Sequence, residues 1–273
     1  MRNKAGILIH PFREDPMFIK NKEEQMKKEI NAKFHWREYV CEFFGTAILL
    51  YVGLAGVYLA DLVQLPDSIE YFFMGLAFCV AIIGVFYSPL GKISGCHINP
   101  AVTIAFWSYG LMMKIDAFFY IFSQLMGAIL GSWLVFMSFN CHWQTARLAL
   151  TIPSPDYPIL LILTVEAVLT FLLVLIVLSF SASDKHRRFT GVALGVYVLL
   201  ATVLFAGISG ASMNPARSFG PAILLMDIKY LWLYFIGPIS GAMAAVYLFR
   251  AEINKKQLKI PIRTVQCILV NEK

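Results

Sequence analysis

Two short polar motifs, repeated within an apolar chain, are the residues whose types and spacing best suit chemistry. Residues 93–102 recur as residues 208–217 with six of the ten positions identical, and each copy contains an Asn-Pro-Ala sequence. Asparagine amides donate and accept hydrogen bonds but carry no charge. No nucleophile, paired carboxylates or metal-ligand spacing in the chain suggests an enzyme. The motif therefore favours contact with a neutral polar molecule, and we expect no catalytic residue, cofactor or bound metal.

The chain around these motifs is typical of a membrane protein. It has 273 residues, of which 59% are hydrophobic and 15% charged, and a soluble chain of this kind would expose too much apolar surface. Six apolar runs have about the length that a helix needs to cross ~30 Å of hydrocarbon. They cover residues 39–60, 71–90, 115–138, 159–181, 189–207 and 229–250. We predict an all-α membrane fold with six transmembrane helices.

Lysine and arginine residues indicate the orientation. Nine lie before residue 39, none lies between Asp61 and Glu70, and three crowd the short connection after the fourth run. Because basic residues favour cytoplasmic loops, we expect both termini in the cytoplasm. The net charge of +6 is then explained by this membrane face rather than by nucleic acid. Three spans per half is an odd number, so the halves are predicted to be inverted repeats with a pathway at their interface.

A short apolar stretch follows each motif, at residues 101–110 and 216–226. A helix of this length covers roughly 16 Å, about half of the hydrocarbon core. Asparagine is a good N-cap, and proline is favoured at the first helical position. We therefore predict that Asn99 and Asn214 cap two re-entrant half-helices that begin in mid-membrane. The alanine of each motif is small enough to let the two helix ends meet.

Two helix N-termini that meet at the membrane centre create a local positive potential. The residues just before each cap, 95–98 and 210–213, are predicted to be non-helical. Such backbone is tolerated at membrane depth only against protein or a water-filled cavity. Its carbonyl groups can accept hydrogen bonds while the asparagine amides donate them. The sequence thus predicts a narrow lane that binds a small neutral solute and repels cations and protons.

The two Asn-Pro-Ala boxes, Asn99-Pro100-Ala101 and Asn214-Pro215-Ala216, with Arg217 directly after the second, resemble the aquaporin (major intrinsic protein) family. The resemblance covers about residues 36–250 and includes Glu42-Phe43-Phe44-Gly45-Thr46 in the first span and Glu166 in the fourth. It implies that Glu42 and Glu166 hold the re-entrant loops, and a membrane-buried carboxylate normally has such a partner. It also implies a homotetramer in the lipid bilayer, with one pore in each subunit.

The resemblance further implies a selectivity filter at the outer constriction. Its four positions are Phe78, Thr202, Ala211 and Arg217. Two registers stay open, because Cys79 replaces Phe78 without an extra loop residue and Val203 replaces Thr202 if the outer loop is one residue short. His97, two residues before Asn99, is expected to line the cytoplasmic mouth of the pore, where its titration could tune permeation. The alternative is that His97 merely hydrogen-bonds loop backbone.

Filter composition points in two directions on selectivity. Water-selective members of the family carry histidine in the fifth span, where this chain has Thr202, and both this loss and Ala211 widen the filter. Ser218, Ala222 and the Tyr234-Phe235 pair instead match the pattern of water channels. We expect water to pass. Small uncharged solutes such as glycerol, urea, ammonia, hydrogen peroxide or a neutral metalloid acid are candidates for additional passage.

The sequence therefore predicts a passive water channel that excludes protons and ions. One alternative is a channel mainly for small uncharged solutes, and a more distant one is an ion-coupled secondary transporter, which also uses inverted repeats. A third is a membrane adhesion protein with a vestigial pore. The predicted regions are a cytoplasmic N-terminal segment, a channel domain with two repeats and a cytoplasmic tail. They cover residues 1–38, 39–250 (repeats 39–138 and 159–250) and 251–273.

Overall fold

The computed structural model describes residues 34–139, 149–183 and 185–256. This part of the chain is helical, with no strand among the described residues. The α-helices are α1 Trp36–Leu62, α2 Asp67–Tyr87, α3 Pro89–Ser94, α4 Pro100–Tyr109, α5 Lys114–Ser138, α6 Ile159–Ser181, α7 Thr190–Ser209, α8 Pro215–Leu224 and α9 Leu233–Lys256. A 3-10 turn, Arg187–Phe189, leads into α7. Residues 1–33 and 257–273 of the predicted terminal regions lie outside the described residues.

Six of these helices are long and apolar enough to cross a membrane, namely α1, α2, α5, α6, α7 and α9. The predicted fold class is therefore confirmed. The two shorter helices α4 and α8 have ten residues each and begin at the prolines of the two motifs. They are the half-helices expected from the sequence.

The second span begins and ends earlier than the apolar run predicted. Asp67 and Glu70 lie in the first turn of α2, where acidic side chains are favoured by the helix dipole, so the helix extends beyond the run that starts at residue 71. At the other end, Ser88 accepts a hydrogen bond from the Gly91 backbone N–H, and Pro89 occupies the first turn of α3. These residues cap a new helix, and for this reason α2 ends at Tyr87 rather than near residue 90.

Glycines let the long helices pack closely in matching places of the two halves. A β-carbon at Gly127 of α5 would overlap the carbonyl oxygen of Phe43 on α1, and one at Gly241 of α9 would overlap that of Ala167 on α6. Phe43 and Ala167 directly follow Glu42 and Glu166. Close helix approach through small residues is the usual way in which helices associate in lipid. Here it places both glutamates inside the helix bundle.

The two halves exchange their half-helices. Half-helix α4, from the first half, packs against α9 of the second, while α8 packs against α5 of the first half. The two half-helices also contact each other. Each Asn-Pro-Ala motif is therefore held in the interior by helices from both repeats.

Candidate functional site

The two asparagines cap their half-helices and also join the motifs. Asn99 Oδ1 accepts a hydrogen bond from the Ala101 N–H at 2.9 Å, and Asn214 Oδ1 accepts one from the Ala216 N–H at 2.9 Å. Each side-chain amide then donates across the interface, since Asn99 Nδ2 lies 2.9 Å from the Met213 oxygen and Asn214 Nδ2 lies 2.9 Å from the Ile98 oxygen. An amide has two N–H groups. One N–H of each asparagine is therefore left for a molecule between the motifs.

The loops that lead into both half-helices have unusual backbone geometry. Positive φ angles occur at Gly95, Cys96, Ile98, Gly210, Ala211 and Met213. Glycine tolerates this region. For each of the other residues this conformation costs about 1–2 kcal/mol of conformational free energy, and a β-branched residue such as Ile98 is rarely found in it. The same places are strained in both halves. The loops therefore need strong external hydrogen bonds to keep their shape.

Two buried glutamates supply those bonds. Glu42 accepts from the backbone N–H groups of His97 and Ile98 at 2.9 and 2.6 Å. Glu166 accepts from those of Ser212 and Met213 at 2.9 Å each. Both glutamates are fully buried. Each carboxyl group thereby satisfies two successive N–H groups that would otherwise be buried without an acceptor, which suits it to hold a strained loop.

Two tyrosines hold the start of each loop, a role that the sequence analysis did not predict for either of them. Tyr120 donates its hydroxyl proton to the Ser94 carbonyl oxygen at 2.7 Å, and Tyr234 donates to the Ser209 carbonyl oxygen at 2.8 Å. Ser94 and Ser209 are equivalent residues of the repeat, at the ends of α3 and α7. The presence of a tyrosine at matching places in α5 and α9 was the available signal.

One cavity, with a volume of about 60 Å³, runs between the two motifs. A space of this size holds a few water molecules and is far smaller than a typical ligand pocket. His97, Asn99, Asn214 and Arg217 contribute polar groups to its wall. Apolar side chains from α2, α6 and α7 form most of the remaining wall, among them Phe78, Leu173 and Val198. We call this cavity the lane.

Arg217 lies at the second motif and is only 5% exposed. Its Nη1 donates to the Ala149 carbonyl oxygen at 2.7 Å, and its guanidinium carbon lies 5.3 Å from the centre of the Phe78 ring. Met74 Sδ is 4.0 Å from Nη2. A buried cation needs such partners, because it has lost its hydration. Neither Ala149 nor Met74 was predicted, since a backbone carbonyl and a thioether carry no recognisable sequence signal.

The alternative filter residues differ in whether they line the lane. Phe78 lines the lane, whereas Cys79 packs against Gly195 of α7. Thr202 lines the lane and is 2% exposed, whereas Val203 is 37% exposed. Ala211 also lines the lane. The geometry thus brings Phe78, Thr202, Ala211 and Arg217 to one cavity.

His97 lines the lane at the first motif. Its Nδ1 lies 3.1 Å from Thr103 Oγ1, which donates its own proton to the Asn99 carbonyl oxygen and accepts from Gln124 Nε2. The hydroxyl has no second proton, so the hydrogen-bond network assigns the proton of this contact to His97 Nδ1. In the neutral ring, Nε2 is then an acceptor. The partner that the structure shows for His97 Nδ1 is thus a side chain, Thr103.

The six long helices, the two meeting half-helices and the shared lane define a membrane protein built as a two-fold repeat around a pathway. The family model described as Major intrinsic protein matches residues 29–249. The chain therefore belongs to the major intrinsic protein family and is an integral membrane protein.

Individual relatives support this assignment. The chain is 36% identical over 239 residues to the probable aquaporin AqpM of Archaeoglobus fulgidus, covering 78% of this chain and 95% of that protein. It is 34% identical to Aquaporin-5 of Rattus norvegicus, with 82% and 83% covered. It is also 34% identical to the glycerol uptake facilitator protein-like 6 of Lactiplantibacillus plantarum, with 78% and 97% covered.

A solved structure shows the same fold. The X-ray structure of the aquaglyceroporin from Plasmodium falciparum superposes with a TM-score of 0.72 at 22% sequence identity. The match covers 82% of this chain and 98% of that one. The likeness at this identity is one of fold.

Proposed function

We propose that this protein is a passive transmembrane channel that conducts water and excludes protons and ions. The observation that carries the proposal is the pair of crossed hydrogen bonds between the motifs, from Asn99 to Met213 and from Asn214 to Ile98. These bonds bring the N-termini of α4 and α8 to one narrow lane and leave asparagine N–H groups for a passing molecule. Water can both accept from these groups and donate to neighbouring oxygens.

Charge exclusion follows from the same arrangement. Each half-helix presents the positive end of its dipole to the lane, and Arg217 adds a full positive charge. Both oppose a cation or a hydrated proton. A neutral molecule does not meet this electrostatic barrier. The N-terminal positive potential therefore supports passage of neutral solutes only.

Small neutral solutes are a second class of cargo in this proposal. Ala211 and Thr202 are short side chains on the wall of the lane, which Phe78 and Arg217 also line. A channel mainly for such solutes is the alternative that this width favours. Against it, Ser218, Ala222 and the Tyr234-Phe235 pair match the residues that resemblance associates with water channels. The relatives include a probable aquaporin and a glycerol uptake facilitator protein-like member at similar identity, so they do not separate the two.

An ion-coupled transporter fits the geometry less well. Its coupling sites would need acidic side chains that face the pathway and bind the coupling cation. Glu42 and Glu166 instead accept hydrogen bonds from the strained loops, and neither is among the residues that line the lane. Their role in the proposal is structural support, and no enzymatic step is assigned to any residue.

The proposal includes orientation and assembly. The basic residues before α1 and around Lys185 support a cytoplasmic location for both termini, by the positive-inside rule. The first motif then faces the cytoplasmic half of the lane and the second the outer half. We carry over a homotetramer with one pore per subunit from the family resemblance. Residues 39–250 form the channel domain, flanked by cytoplasmic segments 1–38 and 251–273.

Stopped-flow light scattering of reconstituted vesicles tests the function. Water, glycerol and urea permeabilities are measured in parallel, together with proton and sodium currents in the same preparation. We expect water flux above that of empty vesicles and no measurable proton or sodium current. A proton conductance that scales with the amount of reconstituted protein would contradict the mechanism.

A further inference from the structure

The two motifs make the same internal hydrogen bond with different side chains. In each half, the residue two places before the asparagine bonds to the residue four places after it. The first half joins His97 Nδ1 to Thr103 Oγ1 at 3.1 Å, and the second joins Ser212 Oγ to Ser218 Oγ at 2.6 Å. Both pairs are buried beside the lane. This bond closes the loop onto the first turn of the half-helix.

The third member of each cluster comes from a different kind of element. In the first half it is Gln124 on the long helix α5, which donates to Thr103 at 2.9 Å and to Glu42 at 2.7 Å. In the second half it is Thr151, whose hydroxyl donates to Ser218 Oγ at 2.7 Å. Thr151 lies on the connection between α5 and α6, outside any helix. Among the described residues of these two clusters, it is the second motif that is tied to a connecting segment.

The hydroxyl protons of the second cluster run in one direction. Ser212 Oγ donates to the Asn214 carbonyl oxygen at 3.0 Å, so Ser218 must supply the proton between the two serines. Thr151 in turn donates to Ser218. The cluster of Thr151, Ser218 and Ser212 thus forms a chain that ends on the capping asparagine of the second motif. We call it the hydroxyl chain.

The same connecting segment also holds the cation of the lane. The Ala149 carbonyl oxygen, two residues before Thr151, accepts from Arg217 Nη1 at 2.7 Å. Ala149 has a positive φ of 49°, a conformation that a non-glycine residue keeps only when its surroundings fix it. Farther along, the Ser154 N–H donates to the Ile208 carbonyl oxygen at 3.0 Å. Between these two bonds, which both use backbone atoms of the segment, the Thr151 side chain provides a third attachment to the second motif.

The absence of a side chain at Gly210 makes this contact possible. A β-carbon there would lie 3.2 Å from Thr151 Cγ2 and 3.4 Å from its Cβ. The threonine therefore packs directly on the loop of the second motif, with 5% of its surface exposed. Its hydroxyl is fixed by packing as well as by its hydrogen bond.

We propose that Thr151 is a positioning residue for selectivity. Its bond to Ser218 holds the segment 149–154 so that the Ala149 carbonyl keeps the Arg217 guanidinium beside Phe78. The size limit of the lane is then set in part by a connecting segment that does not itself line it. This inference rests on the proposed function, because it assigns Thr151 a part in deciding which solutes pass.

The test replaces the hydroxyl without changing the shape of the side chain. In reconstituted full-length protein, Thr151→Val is expected to lower water permeability by less than about twofold. The same substitution is expected to raise the ratio of glycerol to water permeability roughly three- to tenfold, which is the effect of losing one buried hydrogen bond. Thr151→Ser restores the hydroxyl and is expected to keep the wild-type ratio. Thr164→Val removes a hydroxyl that bonds within α6, and it serves as the matched control.

A second variant reads the same bond from its other end. Ser218→Ala removes the acceptor, and the double variant Thr151→Val/Ser218→Ala is expected to raise the ratio no further than the larger single effect. If Thr151→Val does not reconstitute, the ratio in Ser218→Ala decides the matter alone. A wild-type ratio in folded Thr151→Val, or an equal rise in Thr151→Ser, would overturn the positioning role.

The failure of the channel function has a different signature. Wild-type vesicles that pass neither water nor glycerol above the empty-vesicle rate would refute the proposed function and this inference together. If vesicles with the wild-type protein conduct water but the variants leave the ratio of glycerol to water permeability unchanged, only the proposed role of Thr151 is refuted.

Discussion

In the first motif Val102 lies three residues after the capping asparagine, whereas the second motif carries Arg217 at the same place. Both residues line the lane. The loops on which they depend share their positive φ angles, and each loop is held by a glutamate that accepts from two successive backbone N–H groups. The repeat has therefore kept the backbone and its supports while the side chains in the lane have diverged. We infer that the support is common to both ends and that the selectivity belongs to one.

The largest expected effect tests the common support. Glu42→Ala or Glu166→Ala leaves two buried N–H groups of a strained loop without an acceptor. Each unsatisfied N–H group lowers the free energy of unfolding by about 1–3 kcal/mol. We expect both variants to lose folded protein or all water flux, to a similar extent. Thermal unfolding in detergent and stopped-flow water permeability measure this. Glu38→Ala, at a partly exposed residue of α1, is the control. Full tolerance of either Glu42→Ala or Glu166→Ala would break the equivalence of the two halves.

The next effect tests the difference between the halves. Arg217→Ala removes a full charge and a wall group, so we expect water flow to remain while glycerol permeability rises about tenfold or more, as for the loss of a charged hydrogen bond. The barrier to cations should also weaken. Val102→Ala, at the equivalent place of the first motif, should change the glycerol-to-water ratio little. Equal effects of the two substitutions would show that selectivity is shared between the ends.

The features that both halves share could be predicted from the sequence. The Asn-Pro pairs at Asn99 and Asn214 predicted the starts of the two half-helices. Glu42 and Glu166, which the family resemblance pointed to, accept hydrogen bonds from the backbone of the two loops. These features repeat because both halves face the same problem of starting a helix inside the membrane. Repetition and family resemblance make them visible without a structure.

The parts that the sequence did not reveal come from elements far along the chain. Gln124, Thr151 and Ala149 join the motifs through tertiary contacts, and nothing in their residue types or spacing indicates a role. The sequence also left open which residues of α7 face the lane, because an apolar helix with small residues has no clear polar face. Only packing could distinguish the lane-facing Thr202 from the exposed Val203.

Thr202→His sharpens the asymmetry by narrowing the lane near Arg217. A histidine there adds bulk and a donor, so the glycerol-to-water permeability ratio is expected to fall about tenfold, equivalent to roughly 1.4 kcal/mol. Val203→His, at the exposed neighbour, is the matched control and should leave the ratio near wild type. Parallel stopped-flow measurements with both solutes give the answer. An unchanged ratio in Thr202→His would mean that residue 202 does not face the solute.

The smallest expected effect concerns thiols. Cys96 and Ala211 hold equivalent places in the two motifs, and both line the lane. Resemblance associates mercury block with a cysteine at the place of Ala211, so block at the second motif should be weak. Any mercurial inhibition of water flux is therefore expected to act at Cys96 and to vanish in Cys96→Ser. Cys79→Ser, a buried thiol off the lane, should leave it unaltered. Full inhibition in Cys96→Ser would place the reactive thiol elsewhere, whereas Ala211→Cys should create block at the second motif and thereby restore the chemical equivalence of the two ends.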